Sequence, residues 1–434
     1  MVRTKQTAKK SHGGIAPRVD LRGGARVAQG TEEMEVCPKF QHNEYCIVCR
    51  DGSIEEHQLF LCDGCPRVMC SMCMVIPPAL AMMLEHDDVK FRCICCHVDM
   101  QQQGNRTYSP YMGFYRNSKP ISTDFLRINA TLEVSLKSEL SSAPVLFVHL
   151  TLVNNDAGVG TFELGYQFLR PYFPHGGISF QEIQFDLGTG TKIESYESMV
   201  GDLVRGLTAK RHWTRIVFGI SNHTDNTNGD PFIGYPARKK TYIAARIDNF
   251  LDVVLMPWQP LITRALESYL WMFSCGSLVN NAESFSYLQS SVLRHRISAS
   301  VCFNAVRFQP ATASHLLLAF IELVLVERLP IRTAFPDMLG QSYKLGRHSD
   351  VFLILRKDDI SLDITKFVWT HSSLRPWGQY LPVQCPQCGW TNAWASVHQN
   401  KLYAFECKND QCKKRKGAWY LLDINPLGDN PSCV

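Results

Sequence analysis

Eight cysteines constrain this chain more than any other feature: Cys46-x-x-Cys49, Cys62-x-x-Cys65, Cys70-x-x-Cys73 and Cys93-x-x-Cys96. A C-x-x-C step lets two thiolates converge on one tetrahedral metal, and a closed four-thiolate site is structural rather than catalytic. Four pairs make two zinc sites, and so short a segment with few large apolar side chains needs the ions in order to fold. A disulfide framework is the competing reading, but it requires an oxidising compartment. The chain opens polar and basic, without the apolar stretch of a secretory signal. Its longest apolar run, residues 316–326, contains Glu322 and is too short to span a bilayer. The expectation is a reducing, intracellular protein with no membrane contact.

A length of 434 residues predicts two to four domains. The net charge of +5 is modest and is concentrated in the first 27 residues, so the rest is nearly neutral. A protein that coats DNA over its whole surface would be more basic.

The run Asn43-Glu44-Tyr45-Cys46-Ile47-Val48-Cys49-Arg50-Asp51-Gly52, followed by Leu61-Cys62-Asp63-Gly64-Cys65-Pro66-Arg67, resembles the PHD finger, a chromatin reader module. The resemblance implies a finger over residues 41–100 with interleaved ligand pairs. One zinc would sit on Cys46, Cys49, Cys70 and Cys73, the other on Cys62, Cys65, Cys93 and Cys96. The family usually has histidine where Cys70 stands; thiolate replaces imidazole on zinc and makes the site more negative.

Residues 2–18, VRTKQTAKKSHGGIAPR, resemble the N-terminal tail of histone three at thirteen of seventeen positions. The alternative is a generic basic arm or nuclear localisation signal, which needs neither Thr4, Gln6 and Thr7 nor the Gly13-Gly14 pair. We assign 1–18 as a histone-tail mimic and 19–40 as a flexible tether. PHD fingers take such a tail as an added strand, capture its free amine and hold its arginine and lysine in separate pockets. Removal of Met1 ahead of Val2 would expose the amine, leaving Arg3 and Lys5 as the residues read. All eight tryptophans lie at 213 or beyond, so the finger lacks the aromatic cage that a trimethylated lysine needs. Asp51, Glu55 and Glu56 suit an unmodified ammonium instead, with Tyr45 beside them and Asp63 as an arginine partner. The competing reading makes these acids solvated loop charges. The 37 residues from Ala8 to Tyr45 span about 33 Å as a flexible chain. That reach places the tail at an effective concentration on the order of mM for its own finger. The expected partners are the histone-three tail on a nucleosome and the protein's own tail, in cis or in trans, as an autoinhibitory plug.

Residues 101–143 are polar and read as a linker. From 144 to 345 apolar strands alternate with helices, which predicts an α/β domain with a mainly parallel sheet. Strands are expected at 145–153, 180–187, 215–222, 269–274 and 297–303, and helices at 162–172, 193–210, 261–267, 285–293 and 313–328. His223 follows the strand RIVFGISN and Cys275 follows YLWMFS, at strand ends where such sheets carry chemistry. By element order and this His…Cys placement the domain resembles the caspase-like cysteine peptidases. The resemblance implies a catalytic dyad, with Cys275 as nucleophile, His223 as proton shuttle and backbone N–H groups holding the oxyanion. Thr224 stands where the family has glycine. Taken singly, a free cysteine is most often a buried small hydrophobe, and a lone histidine is structural.

Residues 346–380 read as a connector with one strand at 351–355. Cys385-x-x-Cys388 and Cys407-x4-Cys412 within 381–424 resemble a zinc ribbon, which implies a third zinc ion. Lys413, Lys414, Arg415 and Lys416 follow as a basic run, read either as a weak DNA contact or as a solvated hairpin flank. Two functions fit this multidomain layout in the nucleus. One is a chromatin-directed cysteine endopeptidase, and the other is a histone-tail reader and scaffold with a dead peptidase domain.

Overall fold

The computed structural model describes residues 42–52, 58–86, 88–103, 109–129, 140–155, 160–173, 176–237, 241–372, 374–391, 394–399, 402–414 and 419–421. The mimic and tether, with Val2, Arg3 and Lys5, lie outside these residues, as do Glu55, Glu56, Arg415 and Lys416.

The N-terminal cysteine-rich unit is built from very short strands. β1 (Leu59–Leu61) pairs antiparallel with β2 (Val68–Cys70), and β3 (Met74–Val75) leads to β4 (Val89–Phe91) and helix α1 (Ile94–Gln103). Its apolar centre is three buried rings, Phe60, Phe91 and Phe114, with centroids 5.1 to 5.9 Å apart. Phe114 belongs to the stretch expected to be a linker. There β5 (Phe114–Arg116) pairs with β4, β6 (Lys119–Pro120) pairs with β5, and β7 (Arg127–Ile128) pairs with β3. Residues 109–129 therefore complete the unit, and its boundary is not at 100. Strands of two or three residues are too short to show any alternation in sequence.

The α/β unit holds one seven-stranded sheet. Its strands are β8 (Val145–Leu152), β9 (Ile178–Phe185), β10 (Arg215–Ser221), β13 (Glu267–Phe273), β14 (Ala299–Phe303), β15 (Val351–Arg356) and β16 (Leu362–Phe367); a small hairpin, β11 (Phe232–Gly234) and β12 (Ile243–Ala244), lies outside it. The spatial order is β16-β15-β14-β13-β10-β8-β9, parallel from β9 to β14 and antiparallel across β15 and β16. β8 and β10 are buried along their whole length, as strands covered on both faces must be. One face packs under α2 (Thr161–Leu169) and α6 (Ser314–Phe320), the other under α3 (Gly190–Lys210), α4 (Ile247–Leu255) and α5 (Ala282–Arg294). Gly219 in β10 permits the first contact, because a Cβ there would overlap the Phe162 ring of α2.

Three expectations need correction. The helix at 261–267 is a single turn, Gln259–Ile262, since Glu267 already starts β13. The helix at 313–328 begins as α6 and widens into a π-turn, Ile321–Val326. The α/β unit does not end at 345, because β15 and β16 extend its sheet into the supposed connector.

The two units touch. The Tyr45 hydroxyl donates to the Pro171 carbonyl at 2.9 Å, and its ring meets Tyr172 edge-on at 5.9 Å. Arg50 donates to Glu322 at 3.0 Å and also bonds Glu327, both carried by or next to the π-turn. Tyr45, expected to face a peptide, is instead buried in this contact.

His149 of β8 is buried, stacked on Phe162, and placed between Glu182 Oε1 (3.2 Å) and the Ser221 hydroxyl (2.9 Å). A carboxylate accepts only, so Nδ1 carries the proton and Nε2 accepts from Ser221. Burial lowers the His149 pKa from the usual 6.5 to about 4. The unfolded state therefore takes up a proton first as pH falls, and stability is lost between pH 6.5 and pH 4. The expected loss is roughly 3 kcal/mol. His149→Gln removes this slope, and denaturant titrations at pH 8, 6 and 4 measure it; parallel slopes in both proteins contradict the assignment.

At the C-terminal end β17 (Trp394–Gln399), β18 (Leu402–Cys407) and β19 (Trp419–Leu421) form an antiparallel sheet, with helix α7 (Asp410–Lys414) between the last two. No helix among the described residues is long and apolar enough to cross a membrane.

Candidate active site and metal centres

The folded chain gathers twelve cysteines into three groups of four: Cys46, Cys49, Cys70 and Cys73; Cys62, Cys65, Cys93 and Cys96; and Cys385, Cys388, Cys407 and Cys412. Within each group every sulfur lies within 4.8 Å of the others. The sulfurs of Cys49 and Cys70, Cys62 and Cys96, Cys65 and Cys93, Cys385 and Cys412, and Cys388 and Cys407 are 3.6 to 3.8 Å apart. Four sulfurs about 2.3 Å from one ion stand about 3.8 Å apart, so each group can hold a metal in tetrahedral geometry. The first two groups are the interleaved sets the finger resemblance implies, with Cys70 in the place of the family's histidine. Backbone N–H groups of Val48 and Cys70 point at the Cys46 sulfur at 3.4 and 3.3 Å, and that of Cys93 at the Cys62 sulfur at 3.3 Å. Such donors favour thiolate over thiol. In the third group Cys407 ends β18 and Cys412 sits in α7, so the wide four-residue gap is the turn into that helix.

Of the expected peptide contacts, Asp51 is half-buried and its Oδ1 accepts from Gly52 N at 3.0 Å. Asp63 Oδ2 accepts from Phe91 N at 2.7 Å, which ties it to β4.

His223 and Cys275 come together by strand register. Ser221 of β10 is paired with Phe273 of β13, and each candidate residue follows two positions later. Asn222 N donates to Phe273 O at 3.2 Å and the Thr224 hydroxyl donates to Cys275 O at 3.3 Å, which holds the two strand ends side by side. Both side chains are half-buried. The His223 ring contacts Phe232 at 6.3 Å, and among the described residues no hydrogen bond joins it to Cys275. β10 and β8 flank the point where the strand order reverses, the place at which open α/β sheets bind ligands. The β11–β12 hairpin stands over this edge, with Phe232, Tyr242 and Tyr235 stacked at 5.6 and 4.4 Å and the Tyr242 hydroxyl on Val153 O. Sequence reading missed this aromatic wall, because strands of two or three residues in a loop give no signal.

The N–H of Cys275 has no acceptor among the described residues, whereas that of Gly276 donates to Ala305 O at 2.7 Å. Gly276 is packed against the Asn304 backbone, where a Cβ would overlap the carbonyl. Gly276→Ala must therefore push the Cys275 loop off its seat, at an expected cost of about 1–3 kcal/mol. Equal denaturation midpoints for the variant and the parent would contradict this packing.

The chain is thus a multidomain protein with an α/β unit on a mainly parallel sheet and cysteine-rich modules holding three possible metal centres. No protein-family model matches it, and no curated protein matches it. Among solved structures it matches a secreted C11 cysteine protease from Bacteroides thetaiotaomicron in complex with an irreversible peptide inhibitor, with 7% identity and a TM-score of 0.29. The match covers 49% of this chain and 66% of that protease, a likeness too slight to bear on this one.

Proposed function

We propose that this is a nuclear, chromatin-directed cysteine endopeptidase with a caspase-like α/β domain. One observation carries the reading. Cys275 and His223 occupy matched positions just beyond two register-paired parallel strands, at the carboxyl edge of the sheet. In the proposed reaction the Cys275 thiolate attacks a peptide carbonyl, and the new oxyanion is held by the Cys275 N–H. His223 takes the thiol proton and returns it to the leaving amine. Water then hydrolyses the thioester with His223 as base.

The three cysteine groups are read as zinc centres, since a tetrahedral set of four thiolates suits zinc or an iron–sulfur cluster and no redox role is called for. The zinc ions would be structural. The finger reading rests on the residues around Cys46 to Cys65 and makes Asp51 the partner of an unmodified lysine in a histone-like tail. The tail at 1–18 is read as a plug for that finger, displaced by nucleosomes, and Lys413 and Lys414 as a weak contact to DNA phosphate. Deleting residues 2–18 is expected to raise affinity for a free histone-three tail peptide; unchanged affinity removes the plug.

The second reading, a histone-tail reader with an inert peptidase domain, is favoured by the missing His223–Cys275 hydrogen bond and by Thr224. Reaction of Cys275 with a thiol-directed peptidyl trap separates the two. His223→Ala is expected to slow labelling severely, and labelling indifferent to His223 selects the inert reading.

A further inference from the structure

One residue ahead of each candidate catalytic group lies a buried polar side chain without a partner among the described residues. Asn222 and Ser274 are 3% exposed, and among the described residues neither the two amide atoms of Asn222 nor the Ser274 hydroxyl has a hydrogen-bond partner. Asn222 N still donates to Phe273 O, so the two residues sit side by side on neighbouring strands. Ile220 and Met272, two positions back, pack on the face covered by α4 and α5, and alternation sends Asn222 and Ser274 to that same face. Buried polar groups in folded proteins are almost always bonded. Two unbonded residues at matched positions therefore mark a place where a partner is meant to enter.

We infer that Asn222 and Ser274 form the floor of a specificity subsite for a neutral carboxamide, the side chain of glutamine or asparagine. In a bound substrate that residue would supply the carbonyl attacked by Cys275. The inference rests on the proposed Cys275 chemistry. An asparagine amide leaves a donor and an acceptor open, and Ser274 adds a hydroxyl that serves as either. The matching ligand group is one that both donates and accepts, which a carboxamide does and an alkyl chain does not. No ionised group touches the pair among the described residues. Asp225, the nearest acid in sequence, turns its Oδ1 onto the N–H groups of Thr227 and Asn228 at 2.8 and 3.3 Å. Burying a lysine or glutamate head here would leave its charge uncompensated. The loop from Asp225 to Asp230 is held on α5 by the Ser284 hydroxyl, which donates to Gly229 O at 3.3 Å.

The test uses full-length protein and three peptidyl acyloxymethyl ketones that differ only in the residue beside the ketone: glutamine, methionine or lysine. The Cys275 sulfur displaces the acyloxy group at the methylene carbon, forming a C–S bond and releasing a carboxylate, and intact mass reads the rate. The glutamine trap is expected to react about tenfold faster or more than the other two. Asn222→Leu and Ser274→Ala should each erase most of that preference. Asn222→Leu should also raise the Tm by about 2–4 °C, because it removes an unsatisfied buried amide. Equal rates for the three traps overturn the subsite, as does a fall in Tm, or an ordered water bridging Asn222 and Ser274 that persists in the trapped complex. His223→Ala reports separately on the dyad. A glutamine preference that survives without any His223 dependence keeps the subsite and removes the dyad, whereas His223 dependence without preference does the reverse. Absence of labelling by every trap overturns both.

Discussion

Full-length protein stripped of metal by a chelator at neutral pH will lose the cysteine-rich unit and keep the α/β sheet. The apolar core of that unit centres on Phe60, Phe91 and Phe114, and its strands are two or three residues long. Such a core cannot offset the conformational entropy of ordering the segment, which costs on the order of 1–2 kcal/mol per residue. A structural zinc ion contributes about 10–16 kcal/mol to folding in small metal modules, more than the whole stability of most domains. The α/β unit has no such dependence, because its sheet is covered by buried apolar side chains on both faces. Limited proteolysis before and after chelation, with metal content followed by native mass spectrometry, reads the outcome. New cleavage confined to 42–129 and 381–421 is the expected pattern. Protection of 42–129 after complete metal loss would mean that the cysteines are not what holds the unit. Cys70→His should retain the ion, since histidine offers a fourth ligand of the usual kind, while Cys70→Ala should lose it.

The legible parts of the fold are those whose residues meet the same surroundings on both sides. β8, β10 and β13 read as continuous apolar runs because helices cover both faces, and α3 and α5 carry one apolar stripe each. β16, with the sequence LDITKF, lies at the sheet edge with its middle residues exposed, so nothing in its composition marks it as a strand. Residues 261–267 look helical, but the chain must start β13 at Glu267 to pair with Arg215. The π-turn after α6 has the composition of an ordinary helix. Only the buried Arg215, donating to the Leu325 carbonyl at 2.5 Å, and Ser141 N on the Val326 carbonyl show why its end is pulled out of register.

The candidate site divides the same way. His223 and Cys275 were visible because strand ends were visible, and the cysteine groups because C-x-x-C spacing is a local property. Asn222 and Ser274 were not, since an asparagine before a histidine is ordinary until its burial is known. Tyr45 shows the same limit. Its neighbours in sequence are those of a peptide-binding finger, yet its partners, Pro171 and Tyr172, lie in another unit.

That contact between units supplies the second large expected effect. Glu327 has a side chain only 4% exposed, and Arg50 from the cysteine-rich unit bonds it directly. Arg50→Ala leaves this carboxylate buried and uncompensated, and a broken buried pair costs about 3–5 kcal/mol. Arg50 itself is 38% exposed and shares its charge with the half-exposed Glu322, so solvent screening reduces the expected loss to about 2–3 kcal/mol. Glu327→Gln should cost less than half as much, because Arg50 keeps Glu322 and water. The double variant should then be more stable than Arg50→Ala alone, since no buried charge remains. The backbone adds an internal control. Arg50 has φ +58°, a left-handed conformation that a side chain other than glycine's adopts at a cost of about 1 kcal/mol. Arg50→Gly should therefore be the milder of the two truncations by about that amount. Chemical denaturation of the four variants gives the order. If Arg50→Ala and Glu327→Gln cost the same and add in the double variant, the ion pair does not join the two units. The asymmetry matters for function because Asp51, the proposed lysine partner, is the next residue along the chain. A peptide that moves Asp51 must also move the arginine contact that fastens the cysteine-rich unit to the π-turn, and Arg215, at the start of the strand that ends two residues before His223, is bonded to that same turn.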